Sequence, residues 1–167
     1  KNVDENYYPL LTNEECKIAI GIRYENPLIS YLEDVSIDEM SDEIQNNIFL
    51  GLKRVNDNVN KIDINIIIDA EVLDLMLNSK SLTKIINLIK PLQIEFKNLE
   101  IRITNEPFSN FSLTNTELIQ PSFDPTNKLI GAYISRNQNI YPIFDTKFKE
   151  LFENGQLLTD YLKTEKV

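Results

Sequence analysis

The chain has 167 residues, 42% of them hydrophobic and 26% charged, with a formal net charge of −9 and no histidine. That length suits one domain with a sizeable core, and the negative charge argues against direct contact with nucleic acid or an anionic membrane. Without imidazole, the Ser–His and Cys–His nucleophile pairs and the common zinc sites lack an essential member, so catalysis would fall to carboxylates, Lys or Tyr.

The N-terminal KNVDENYY lacks the apolar core of a signal peptide, and no stretch reaches the roughly 18 to 20 apolar residues of a membrane span. The expectation is a cytoplasmic protein without membrane attachment. Cys16, the single cysteine, has no internal disulfide partner and sits at the edge of an apolar run, where it reads as a buried, inert thiol. A start at Lys1 and not at Met leads us to expect a fragment from which an N-terminal domain is missing.

In chain order, 16–23 (CKIAIGIR) is a short Ile-rich run that reads as a buried strand. Pro27 interrupts the chain, 28–32 forms a short helix or edge segment, and an acidic stretch follows over 33–43. Ser41-Asp42-Glu43 suits a helix start, and Ile44, Ile48, Leu52 and Val55 recur at helical spacing. The strongest strand signal is 62–68 (IDINIII), whose unbroken isoleucines predict burial on both faces. Helical periodicity returns over 70–90, with Asn78-Ser79 as a possible break and Pro91 as its end.

Four strands are expected next, over 99–104, 111–119, 128–135 and 139–145, separated by short turns. Asp145 then caps a final helix carrying Phe148, Leu151 and Phe152, stopped by Asn154-Gly155, with an apolar tail over 157–162. The expected class is α/β: one domain with a mixed sheet flanked by helices, in the order β-α-β-α-β-β-β-β-α. The apolar side chains of the last helix and tail (Phe148, Leu151, Phe152, Leu157, Leu158, Leu162) exceed one narrow stripe, which points to a homodimer.

The ending carries a resemblance. A strand containing Gly131 (KLIGAYIS), a polar turn at 136–139, a second strand ending in Asp145, and then a helix with Leu151-Phe152 in KFKELFENGQ resemble the effector domain of archaeal TrmB-like and methanogenesis-type transcription regulators. The resemblance extends over about 15–163 and implies a phospholipase-D-like fold without its catalysis. The His-x-Lys motif of that enzyme class is missing, since 111–119 contains neither His nor Lys. It further implies a non-catalytic, cofactor-free domain that senses a small-molecule effector or a partner, dimerises, and reaches DNA only through an N-terminal winged helix outside this chain.

Candidate ligand residues follow from the tendency of open α/β sheets to bind ligands beyond the carboxyl ends of parallel strands. These are Arg23, Tyr24, Asp69 and Asn105, joined by Arg102 as a directional anion donor. Tyr133, Arg136 and Tyr141 could line an aromatic pocket with one cation. Each has an ordinary reading beside it: an ion pair with Glu100 or Glu95 for Arg102, a helix cap for Asp69, core-edge packing for the tyrosines. The acidic run Glu33, Asp34, Asp38, Glu39, Asp42, Glu43 lacks the glycine turn and ligand spacing of a Ca²⁺ loop and reads as solvated surface, leaving no metal site. Two competing readings stay open: a hydrolase or transferase using Asp69 with Asp145 or Glu117, and a protein-interaction adaptor.

Overall fold

Consecutive isoleucines are stable in a strand only where both faces of the sheet are covered, and β2 (Asp63–Asp69) occupies such a place, with β1 (Glu15–Ile20) on one side and β3 (Leu99–Thr104) on the other, all three parallel. The computed structural model describes residues 15–21, 62–78, 87, 90, 98–126 and 129–164. Over these residues the sheet also holds β4 (Phe111–Leu113), β5 (Leu118–Phe123), β6 (Leu129–Ser135) and β7 (Gln156–Leu157), in the order β6-β5-β4-β1-β2-β3-β7. The four later strands all pair antiparallel to their neighbours. Three helices accompany them: α1 (Ala70–Asn78), α2 (Tyr141–Asn154) and α3 (Leu158–Thr164).

The two faces of the sheet are filled separately. Ala19, Ile67, Phe111, Leu113 and Leu118 meet Phe148 and Leu151 of α2 in one buried cluster. On the other face Ile68 and Ile103 pack with Val72 and Leu73 of α1 and with Leu158 and Tyr161 of α3, and Cys16, Ile64 and Ile119 form an adjoining cluster. Burying one such Ile, Leu or Phe side chain is worth about 1.5–3 kcal/mol, so these clusters hold the layers together. Cys16 is a buried free thiol, and burial pushes it up to about 12.

The sequence signals held for β1, β2, β3 and β6 within a few residues at their ends. Two expectations need correction. The strand expected over 139–145 is instead the first turns of α2, which carries Pro at its start; the fixed φ of proline and its missing N–H suit a first helical turn. The carbonyl of Asn137 accepts the amides of Ile140 and Tyr141 at 3.1 and 2.9 Å, turning the chain directly from β6 into the helix. Asp145 therefore lies inside α2 and does not cap it.

The strand expected over 111–119 is broken into β4 and β5 by a turn at Thr114. The Thr114 amide donates to the Glu117 carbonyl at 2.9 Å, and its hydroxyl oxygen accepts the Glu117 amide at 3.0 Å, as a Ser/Thr turn does. The described order is thus β-β-α-β-β-β-β-α-β-α, with α2 closing on Asn154 as the Asn-Gly stop predicted. The segments expected over 28–32, 33–43 and 41–58 lie outside the described residues.

Gly21, just past β1, is enclosed by the 105–110 loop: its amide donates to Asn110 Oδ1 at 2.6 Å, and a Cβ there would collide with the backbone carbonyl of Phe108. Overpacking of this kind costs about 1–3 kcal/mol. Gly21→Ala is expected to lower the unfolding free energy by that amount, read in urea as a lower midpoint with an unchanged m value, whereas Gly131→Ala, where a Cβ has open space, should leave it within about 1 kcal/mol.

Candidate functional site

Beyond the carboxyl end of β3 the chain forms a cleft of about 380 Å³, lined by Ile103, Thr104, Asn105, Glu106, Asn154, Gln156 and Tyr161. β3 ends at Thr104, whose hydroxyl oxygen accepts the Glu106 amide at 3.1 Å and turns the chain out of the sheet. The opposite wall comes from the end of α2 and from β7, where Gln156 pairs with Ile103 and Leu157 with Arg102. The α2–β7 corner passes close to the sheet, because a Cβ on Gly155 would lie 3.0 Å from Ile67 Cδ1 and 3.1 Å from Arg102 Cβ. Tyr161 of α3 completes the wall, with its hydroxyl donating to Asp74 Oδ1 at 3.3 Å.

Beside the apolar Ile103 the lining side chains are amide and hydroxyl with one carboxylate, and that carboxylate already faces a cation: Glu106 Oε2 lies 3.5 Å from Lys147 Nζ. Such a surface offers both donors and acceptors to a small polar molecule. Its volume falls at the low end of the range for small-molecule sites, about 300–1,000 Å³. Among the described residues no three His, Cys, Asp or Glu side chains gather as a metal would require.

Of the residues expected to bind a ligand, Asn105 lines this cleft. Asp69, at the end of β2, accepts the amides of Glu71 and Val72 through Oδ1 at 2.8 and 3.4 Å, and so caps α1. Arg102 donates through Nε to Glu100 Oε1 at 2.7 Å and through Nη1 to the Phe152 carbonyl at 3.1 Å, with its guanidinium 4.8 Å from the centre of the Phe152 ring. It stands beneath the cleft and secures the last turn of α2, where a cation suits the helix dipole. Tyr133 is exposed on β6, Arg136 pairs with Glu117, and the hydroxyl of Tyr141 donates to the Thr114 carbonyl at 2.6 Å. Arg23 and Tyr24 lie outside the described residues.

Sequence reasoning did not select Thr104, Glu106, Asn154, Gln156 or Tyr161. Thr104 and Glu106 flank Asn105 and share its signal, a polar turn after an apolar strand. Asn154 was legible only as a helix stop, and nothing in the tail sequence indicates that β7 doubles back onto β3.

At the other end of the parallel strands lies a charge network. Lys17 Nζ bonds Asp145 Oδ1 at 2.8 Å and reaches Glu15 Oε1 at 3.3 Å, while Lys149 Nζ holds Asp145 Oδ2 at 2.7 Å. Burial works against both charges, but the bonds from Lys149 and Lys17 outweigh it and hold the Asp145 carboxyl below its usual 3.8. Burial likewise disfavours the Lys17 ammonium, yet Asp145 and Glu15 raise it above 10.5. Burial, reinforced by the Asp145 charge, pushes the Tyr141 phenol up. Perturbed groups often mark active sites, and ion-pair networks produce the same signature; here Lys17, Asp145 and Tyr141 all hold protein partners.

The three carboxylates considered for hydrolysis do not converge. Asp69 is at the carboxyl end of β2, whereas Asp145 and Glu117 lie toward the start of β1, each bound to its own cation.

No protein-family model and no curated protein matches the chain. Among solved structures it is similar to TrmBL2, an archaeal chromatin protein that shows a novel mode of DNA binding, at 15% identity and a TM-score of 0.46, over 93% of this chain and 50% of that one. The chain therefore spans half the length of that protein. Among the described residues no helix is long and apolar enough to cross a membrane.

The network sets a pH dependence. A carboxyl lowered in the fold contributes stability above its ordinary 3.8 that is lost as pH falls through the folded value, and an ammonium raised above 10.5 contributes stability below that value that is lost as pH rises through the folded one. Asp145→Asn, which leaves the partly buried Lys17 with Glu15 as its ion-pair partner, is expected to cost about 1–3 kcal/mol at pH 7. In urea melts the gap to the parent chain should close as pH drops below 3.8.

Proposed function

We infer that this chain is a non-catalytic receptor domain of a transcription regulator, taking a small polar effector in the cleft beyond β3 and acting through a dimer on DNA-binding domains encoded outside this segment. The observation that carries the receptor reading is the lining of that cleft: amides, hydroxyls and one ion-paired carboxylate converge from β3 and the turn after it, α2, β7 and α3. The effector that suits it is uncharged or amine-bearing and rich in hydroxyl or amide groups, because an anion would face Glu106.

The regulator assignment is supported by the order of a Gly131 strand, a polar turn and a helix with Leu151-Phe152, three of the four parts of the likeness to TrmB-like effector domains, the second strand of that ending being instead the first turns of α2. The absence of histidine from all 167 residues is in keeping with a phospholipase-D-like scaffold that no longer carries its nucleophile. Because the cleft is walled by three elements that follow one another at the end of the chain, an effector would tie α2, β7 and α3 to β3. Such a ligand favours whichever dimer arrangement keeps them together, which is a population shift.

The test is a thermal-shift screen with sugars, amino acids and small amides. A molecule at 100 times its Kd adds about 2.7 kcal/mol to the folded state, which for a domain of this size raises Tm by roughly 5–10 °C. Asn105→Ala should weaken the effective molecule at least tenfold without lowering the ligand-free Tm by more than a few degrees. A flat screen, or a shift unaltered by Asn105→Ala, rejects the receptor reading. The regulator reading is checked separately: the gene should also encode a helix-turn-helix segment of roughly 80–100 residues.

A further inference from the structure

Two copies of a chain carrying −9 repel each other, so a stable contact between them needs a seam without charge. β6, an end strand of the described sheet, supplies one. Its seven residues LIGAYIS include no charged side chain and no proline, the devices that normally guard a sheet edge. One irregularity, between Ser122 and Phe123, falls opposite its first residues and leaves 131–135 in regular pairing. The other edge, β7, is two residues long and blunt by comparison. Large apolar side chains stand in water along β6, with Ile130 63%, Tyr133 71% and Ile134 43% exposed.

We propose that β6 is the dimer seam: a second copy of this chain pairs with it antiparallel about a twofold axis at Ala132, joining the two sheets into one. This names the surface for the dimer invoked under Proposed function and rests on the dimerising part of that reading alone. The register follows from side-chain fit. A twofold at Ala132 sets Gly131 against Tyr133 of the partner subunit, on the face that both share by strand alternation. A Cβ on Gly131 would meet nothing within 4 Å, so the space beside it is open to the partner's ring. An aromatic side chain laid across a facing glycine is a favourable cross-strand pair.

A centre one residue later would leave Gly131 facing Ser135 of the partner subunit, with that space unfilled. The backbone agrees with the first choice. Ala132 lies opposite Pro121 of β5, and proline has no N–H to give, which suits a pair whose hydrogen-bonding groups face outward. The amide and carbonyl of Ala132 are then available to the partner strand.

The experiment uses the chain as it stands. Light scattering after size exclusion should give twice the chain mass at micromolar concentration, and Tyr133→Asp, which places like charges in the seam at an exposed position, should return it to the single mass with an unchanged circular dichroism spectrum. Mild oxidation should link Ala132→Cys chains in pairs, because the two copies of residue 132 face each other. Ile134→Cys should not link, since its two copies lie four residues apart along the strands, about 13 Å, beyond the roughly 7 Å that a disulfide spans. Cys16, buried with its thiol at about 12, does not compete. A dimer that survives Tyr133→Asp, or a link at Ile134→Cys with none at Ala132→Cys, overturns the seam and leaves the dimeric regulator standing. A single mass at every concentration overturns both, while the effector screen still reads the receptor on its own.

Discussion

The packing of α2 across the middle of the sheet is the contact on which the other features depend. Phe148 and Leu151 fill the space over Ala19, Ile67, Phe111, Leu113 and Leu118, and all seven side chains are withdrawn from water. Once that contact is made, both ends of the helix are fixed in position. Near its start Asp145 meets Lys17 of β1, and Tyr141 reaches the carbonyl of Thr114 in the β4–β5 turn. At its end the Phe152 carbonyl receives Arg102, and Gly155 lets the chain pass close enough to β3 for β7 to pair with it. The cleft exists because α2 ends where it does.

Charge is distributed around this contact in a way that separates structure from function. Besides the buried Cys16 thiol, the groups whose protonation is disturbed, Lys17, Tyr141 and Asp145, gather near the start of β1, where each is bonded to another part of the protein. The cleft holds amides and hydroxyls and only one carboxylate, held near Lys147. A surface of that composition offers hydrogen-bond donors and acceptors at fixed positions. The cleft beyond β3 and the uncharged edge at β6 lie in opposite halves of one sheet.

Several polar residues that looked like ligand contacts in the sequence prove to have structural partners. Asp69 supplies the cap that α1 needs, because a helix beginning directly after a strand leaves its first amides without acceptors. Arg102 binds Glu100 in its own strand and the last turn of α2, and Arg136 binds the buried Glu117. In each case a charged group satisfies backbone or carboxylate groups that folding would otherwise leave unpaired. Asn105, the expected residue that does line the cleft, follows directly on β3 at the carboxyl end of the parallel strands.

Sequence alone determined the elements whose signal is local. The Ile-rich runs at 16–23 and 62–68 read as buried strands and β1 and β2 form there, the Asn-Gly stop ends α2, and the absence of histidine removed most nucleophilic and zinc chemistry before any fold was known. Where short-range signals conflicted, tertiary structure decided. The stretch 139–145 alternates like a strand, yet Pro142 and the Asn137 carbonyl make it a helix, because Phe144 and Phe148 then reach Phe111. The cleft was beyond sequence for a similar reason: Thr104, Asn154 and Tyr161 come together only through long-range pairing of β7 with β3, and no spacing along a chain records which strand edge a two-residue segment will choose.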